Sequence, residues 1–170
     1  MSEEKHEGCN CSNTPISDEQ LLANQAENKA NLAFMWLGKD RIDAAEVHLE
    51  GAAKLLALSG IQECEGTALY AAARAAIAQK RGQNKAALRH ARKAYLIRKS
   101  LHPAHHYSIA LAQANYGEMM AVVVDKEKGL AIMTEGLELL KAADVGTSEH
   151  FLAWKENAIK EITETMNGLS

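Results

Sequence analysis

The sequence predicts an all-α fold assembled from stacked helical repeats, and three observations predict it. The first is an interval of 42 residues at which small side chains recur: Ala33, Ala75 and Gly117, then Ala45, Ala87 and Gly129, then Ala52, Ala94 and Gly136. Ala26, Ala68 and Ala110 form a fourth series, Ala30, Ala72 and Ala114 a fifth, and Leu55, Ile97 and Leu139 keep the same register. A period of this length marks a repeat protein, in which each unit buries its apolar face against its neighbours. The second observation is composition. Hydrophobic residues make up 47% of the chain but aromatic ones only 5%, with alanine supplying much of the difference, which suits close helix–helix contact and not a β-sandwich. The third is that the two prolines, Pro15 and Pro103, both lie outside the long apolar-periodic segments, where a proline would break a helix.

The elements follow in order. Residues 1–16 are polar and acidic with no helical period, and are expected to form a flexible tail. The repeat domain is expected over 17–168, and 170 residues suit one domain. Ser17, with Gln20 three residues on, reads as a capping-box start. The first helix should reach about Leu37 and turn at Gly38-Lys39-Asp40. A second, over about 41–58, carries Ala45, Leu49, Ala52, Leu55 and Leu56 on one face and stops at Ser59-Gly60. The next pair is expected over about 63–81 and 84–100, separated by Gly82. The third pair, about 105–123 and 126–142, turns at Asp125. The repeats therefore span about 18–60, 61–102 and 103–144. Thr147 or Ser148 should open a last helix, about 147–167, with Trp154, Ala158, Ile159 and Ile162 on one side and charge elsewhere. Such a helix would cap the open end of a repeat stack.

The small residues have a packing reason. Helices approach to about 8 Å only where the intervening side chain is no larger than alanine. Each repeat places one small residue in its first helix and two, seven apart, in its second. Leu32, Leu49, Tyr95, Tyr116, Met133 and Leu137 should fill around them.

This pattern resembles the tetratricopeptide repeat, whose signature is a helical hairpin with a small residue in the first helix and two alanines seven apart in the second. The matching residues are Asn31-Leu32-Ala33 with Ala45 and Ala52, Ala75 with Ala87 and Ala94, and Asn115-Tyr116-Gly117 with Gly129 and Gly136. The long repeat is similar to the branch found in kinesin light chains, as is the segment from Ala94 to Tyr107 with its proline and histidines. The resemblance covers about residues 18–167. It implies a right-handed α-solenoid of three hairpins plus a C-terminal capping helix. Two departures stand out: Arg74 replaces the Leu32 and Tyr116 of the other repeats, and glycines replace both second-helix alanines of the third. Each glycine should cost up to about 1 kcal/mol of helix propensity, so the third repeat is expected to be the looser one.

The resemblance also implies a concave groove lined by the first helices, taking an extended peptide. Its candidates are Glu27, Ala30, Asn31 and Phe34, then Leu69, Ala72, Ala73 and Ala76, then Leu111, Ala114, Asn115 and Glu118. Asn31 and Asn115 match the asparagine that related repeats aim at a peptide backbone; the alternative is that they hydrogen-bond neighbouring helices. Phe34, Leu69 and Leu111 would be apolar anchors. The basic pattern that clamps a C-terminal carboxylate is absent from these positions.

A second candidate is a basic block of Lys80, Arg81, Lys85, Arg89, Arg92, Lys93, Arg98 and Lys99, with no acidic residue between them. It is either a solvated face, partly matched by Glu3, Glu4 and Glu7, or a docking patch for an acidic partner or phosphate backbone. Among its aromatics only Tyr95 suits base stacking, which argues against nucleic acid. His6, Cys9 and Cys11, and separately His102, His105 and His106, are metal-type residues, but the first set shows only three ligands on a weak C-x-C motif, and loop histidines next to a proline are more often turn and cap residues. No metal or other cofactor is expected, and Cys64 reads as a helix-start thiol.

The net charge of −3 is too small to imply a general polyanion partner. No stretch is apolar enough to span a membrane, the start has no signal-peptide core, and three cysteines suit a reducing, cytoplasmic setting. No nucleophile turn or phosphate loop is present, so an enzyme is not expected. The expected function is a protein-binding adaptor acting through the groove. The alternatives are a self-assembling repeat module, dimeric or stacked, and binding of an acidic partner or nucleic acid through the basic face 80–99.

Overall fold

The structure, a computed structural model, describes residues 15–170. These form seven α-helices and no strand among the described residues: α1 (Asp18–Gly38), α2 (Ile42–Ser59), α3 (Glu65–Lys80), α4 (Asn84–Leu101), α5 (Tyr107–Val123), α6 (Lys126–Ala142) and α7 (Glu149–Leu169). The expected tail, and with it His6, Cys9 and Cys11, lies largely outside the described residues. No described helix is long and apolar enough to cross a membrane.

Helix ends follow local chemistry. Ser17 Oγ accepts from the Gln20 N–H at 3.2 Å, but the Gln20 amide turns forward to Asn24 Oδ1 at 2.9 Å, so only half of the expected capping box forms. Asp125 caps α6 through the Lys128 N–H at 3.0 Å. At the first turn it is Asp40, with φ 57°, that takes the left-handed conformation, which aspartate tolerates better than most residues. α5 starts later than expected because His106 is its cap, its ring Nδ1 accepting from the Ser108 N–H at 3.3 Å. Cys64 is the extended residue before α3, its thiol 3.3 Å from Thr67 Oγ1.

The main packing pairs are α1 with α2, α3 with α4, and α5 with α6. Between pairs the contacts differ: α3 leans chiefly on α1, whereas α5 leans chiefly on α4, and α7 rests mainly on α6. The recurring small residues sit at these contacts. Ala26, Ala33, Ala45, Ala52, Ala68, Ala87 and Ala110 are completely buried. Leu49, Met133 and Leu140 are the largest side chains with essentially no exposure, so the core depends on close backbone approach more than on bulky packing. Truncating any of these three to alanine should cost about 2–5 kcal/mol.

The glycines of the third pair do the reverse of what propensity alone predicts. A Cβ added at Gly117 would lie 2.8 Å from the Gly129 carbonyl oxygen, and one added at Gly129 would collide with the Ala121 backbone. One at Gly136 would stand 3.0 Å from the Ala110 carbonyl oxygen. The glycines let α5 and α6 approach more closely than alanine permits, so this pair is tightened where looseness was expected.

α7 closes over α5 and α6. Ile162 is buried there, with Ala158, Ile159 and Met166 packed against Leu137, Leu140 and Ala110. The Lys155 ammonium donates to the carbonyls of Lys141 and Ala143 at 2.8 and 2.6 Å, satisfying the open, electronegative end of α6.

Candidate functional site

The spacing of α1 puts Glu27, Asn31 and Phe34 on one face, and α3 repeats it with Glu65, Leu69 and Ala72. Ser108, Leu111 and Asn115 do the same on α5. These faces converge on one groove of about 700 Å³, completed by Trp154 of α7 and by residues of the α4–α5 connection. Seven of the twelve groove candidates named from sequence line it: Glu27, Asn31, Phe34, Leu69, Ala72, Leu111 and Asn115. Glu118 does not. It lines an adjoining cleft of about 180 Å³ with Ala76 and accepts from the Gln79 amide at 2.6 Å. Ala30, Ala73 and Ala114 were also expected to line the groove but are buried between helices, because these positions set helix contact.

Asn31 and Asn115 are both exposed, and neither amide has a hydrogen-bond partner among the described residues. Phe34, Leu69 and Leu111 are half-buried and keep apolar surface on the groove.

The groove's polar floor was not legible as a site. Arg98 of α4, only 8% exposed, donates through Nε and Nη2 to Glu65 Oε1 at 3.0 and 2.8 Å. The other Glu65 oxygen is 3.1 Å from His102 Nε2. His102 stacks on His106, ring centres 4.1 Å apart, and His106 on Tyr107 at 4.4 Å; Tyr107 meets the Trp154 ring edge-on at 5.3 Å. Burial, and then the neighbouring His102, hold the His106 imidazole below its ordinary value. Desolvation, and then the Glu65 charge, push the Glu27 carboxyl above its ordinary range. The expected histidine trio is divided: His102 and His106 line the groove, while His105 is exposed and outside that lining. No group of three metal-type ligands converges among the described residues.

The basic block is likewise divided. Lys80 reaches Asp40 at 2.8 Å, and Arg81 makes a two-pronged pair with Glu46 at 2.8 and 2.7 Å. Arg74, the departure in the second repeat, leans toward the same Glu46 at 3.8 Å. With Arg98 bound to Glu65, three of the eight cations are structural. Lys85, Arg89, Arg92 and Lys93 remain together in a separate cleft of about 620 Å³ beside α4. They have no ion-pair partner among the described residues. Compared with protein-family models, with curated proteins and with solved structures, the chain has no match.

Proposed function

We propose that the chain is a protein-binding adaptor of the tetratricopeptide type. Its three hairpins wind as a right-handed α-solenoid with α7 as the cap, and it captures an extended partner segment in the α1–α3–α5 groove. The reading assigns no catalytic step and no cofactor, and its setting is cytoplasmic. The observation that carries it is the pair Asn31 and Asn115, exposed in one groove with no intramolecular partner among the described residues. Each amide offers a donor and an acceptor, the complement of one peptide unit. Phe34, Leu69 and Leu111 beside them give the partner's side chains apolar surface, worth up to about 1.5–3 kcal/mol for each residue fully covered. The resulting recognition is tolerant of sequence and mostly apolar.

Selecting a displayed random-peptide library on the wild type, then measuring each selected peptide on Asn31→Ala/Asn115→Ala, tests the reading. Losing at least two hydrogen bonds of about 0.5–1.5 kcal/mol each should weaken binding at least about fivefold. Equal affinity for both proteins would remove the groove from the account.

A self-associating module is the second reading, favoured by Phe151 and Leu152 at the start of α7, 51% and 44% exposed. Sedimentation over a wide concentration range decides it: a mass that rises with concentration, and that Phe151→Ser/Leu152→Ser abolishes, supports association. A constant monomer rejects it.

A further inference from the structure

The cleft beside α4 has properties that helix stability does not explain. Lys85 lies four residues before Arg89, and Arg92 and Lys93 lie three and four after it, so the four share one face of α4. Like charges at these spacings repel and weaken a helix. Lys85 also sits in the first turn, at the positive end of the helix dipole, and that turn has no acidic residue. The chain as a whole carries −3, so the excess is local. The field reaches His90 on the same helix: burial first, then Arg74, Arg89 and Lys93, hold its imidazole below the ordinary value. Within the charges lies apolar surface. Leu88, Leu96 and Ile97 line the cleft, and Leu96 is 50% exposed.

We propose that this cleft docks an acidic, amphipathic segment of another protein. Its carboxylates pair with Arg89, Arg92 and the flanking lysines, and its aliphatic side chains cover Leu88 and Leu96. The cleft joins a local excess of positive charge to an apolar floor. Four cations with no ion-pair partner among the described residues call for anions, and a leucine-lined cleft calls for aliphatic groups that a phosphate backbone lacks. No aromatic ring is among the lining residues of the cleft for base stacking. The site is separate from the groove and does not depend on it.

The test uses the full chain and a fluorescent helical peptide of glutamate and leucine about four turns long, read by anisotropy. The wild type should bind it, and affinity should fall at least about tenfold between roughly 50 and 300 mM salt. Arg89→Glu/Arg92→Glu should lose at least about tenfold, Leu96→Asn should lose several-fold, and Asn31→Ala/Asn115→Ala should bind as the wild type does. Circular dichroism checks that each variant is folded. If the charge-reversed protein is unfolded, two measurements on the wild type still decide: the salt dependence and a leucine-free glutamate peptide, which should bind more weakly. Binding indifferent to charge reversal in a folded protein, or to salt, overturns the proposal. So does a leucine-free peptide that binds as well, or a short DNA duplex or anionic vesicle that binds more tightly than the peptide.

Discussion

The two large clefts draw on the same helix, α4, and treat its cations in opposite ways. In the groove, Arg98 is almost wholly buried, and its charge is met by Glu65, which also holds His102. In the α4 cleft, less than two turns away along the chain, Arg92 and Lys93 are exposed and have no ion-pair partner among the described residues. One arginine completes the fold, and its neighbours leave a field for something else. A cation's role is set by what it faces, and a count of charges along the sequence does not distinguish the two cases.

The largest expected effect tests the buried side of that contrast. Glu65→Ala leaves Arg98 buried without its carboxylate and should cost about 2–3 kcal/mol, read by denaturant unfolding. Lys85→Ala, Arg89→Ala and Arg92→Ala should each stay within about 0.5 kcal/mol of the wild type. Similar losses in both sets would erase the distinction.

A smaller effect appears with pH. The folded protein holds His106 and His90 below the ordinary imidazole value, so the unfolded chain takes up these protons first. Their contribution to stability is complete above the ordinary imidazole range and is lost as pH falls through it. Glu27 has the opposite sign. Its folded value is raised, so the folded chain holds that proton more tightly and gains stability as pH falls through the folded value toward the ordinary carboxylate range. The thermal midpoint should therefore drop on acidification through the imidazole range. His106→Asn should reduce the drop, and Glu27→Gln should remove the opposing gain at lower pH. Burial is the first cause at both histidines, so added salt should relieve only the smaller part of the drop that comes from neighbouring charges: Arg74, Arg89 and Lys93 at His90, and His102 at His106.

The smallest effect concerns the exposed stripe. Arg89→Glu replaces repulsion toward Lys85 and Lys93 with attraction and should raise stability by about 0.3–0.5 kcal/mol. A loss larger than that in denaturant unfolding would mean that Arg89 serves the fold, as Arg98 does.

The helices were legible because their signals are local. The 42-residue recurrence located the small contact residues, and Ser17, Asp125 and Gly60 marked helix ends that the structure reproduces. The groove candidates Asn31, Phe34, Leu69, Leu111 and Asn115 came from the family resemblance, and they line one pocket. The repeat register holds unevenly, since Ala73, equivalent to Asn31 and Asn115, is buried, and Ala76 and Glu118, equivalent to Phe34, line the adjoining cleft. The polar floor was not legible. Glu65 and Arg98 meet only because α3 and α4 pair, and nothing at either position marks the partner. Arg98 read as one of eight similar cations, and His102 and His106 as turn residues. The α5–α6 pair was misjudged for a related reason. Helix propensity counts what Gly117 and Gly129 cost their own helices, while their benefit lies in the backbone approach of a neighbour.

The central claim is that Asn31 and Asn115 receive a partner's backbone. Its most direct test is the nuclear magnetic resonance spectrum of their side-chain amides, titrated with a peptide selected on the wild type. The account predicts that both amide pairs shift together and saturate at the measured affinity, while the Arg89 and Arg92 Nε–H signals stay in place. Unmoved asparagine signals, with shifts confined to α4 or α7, would contradict it.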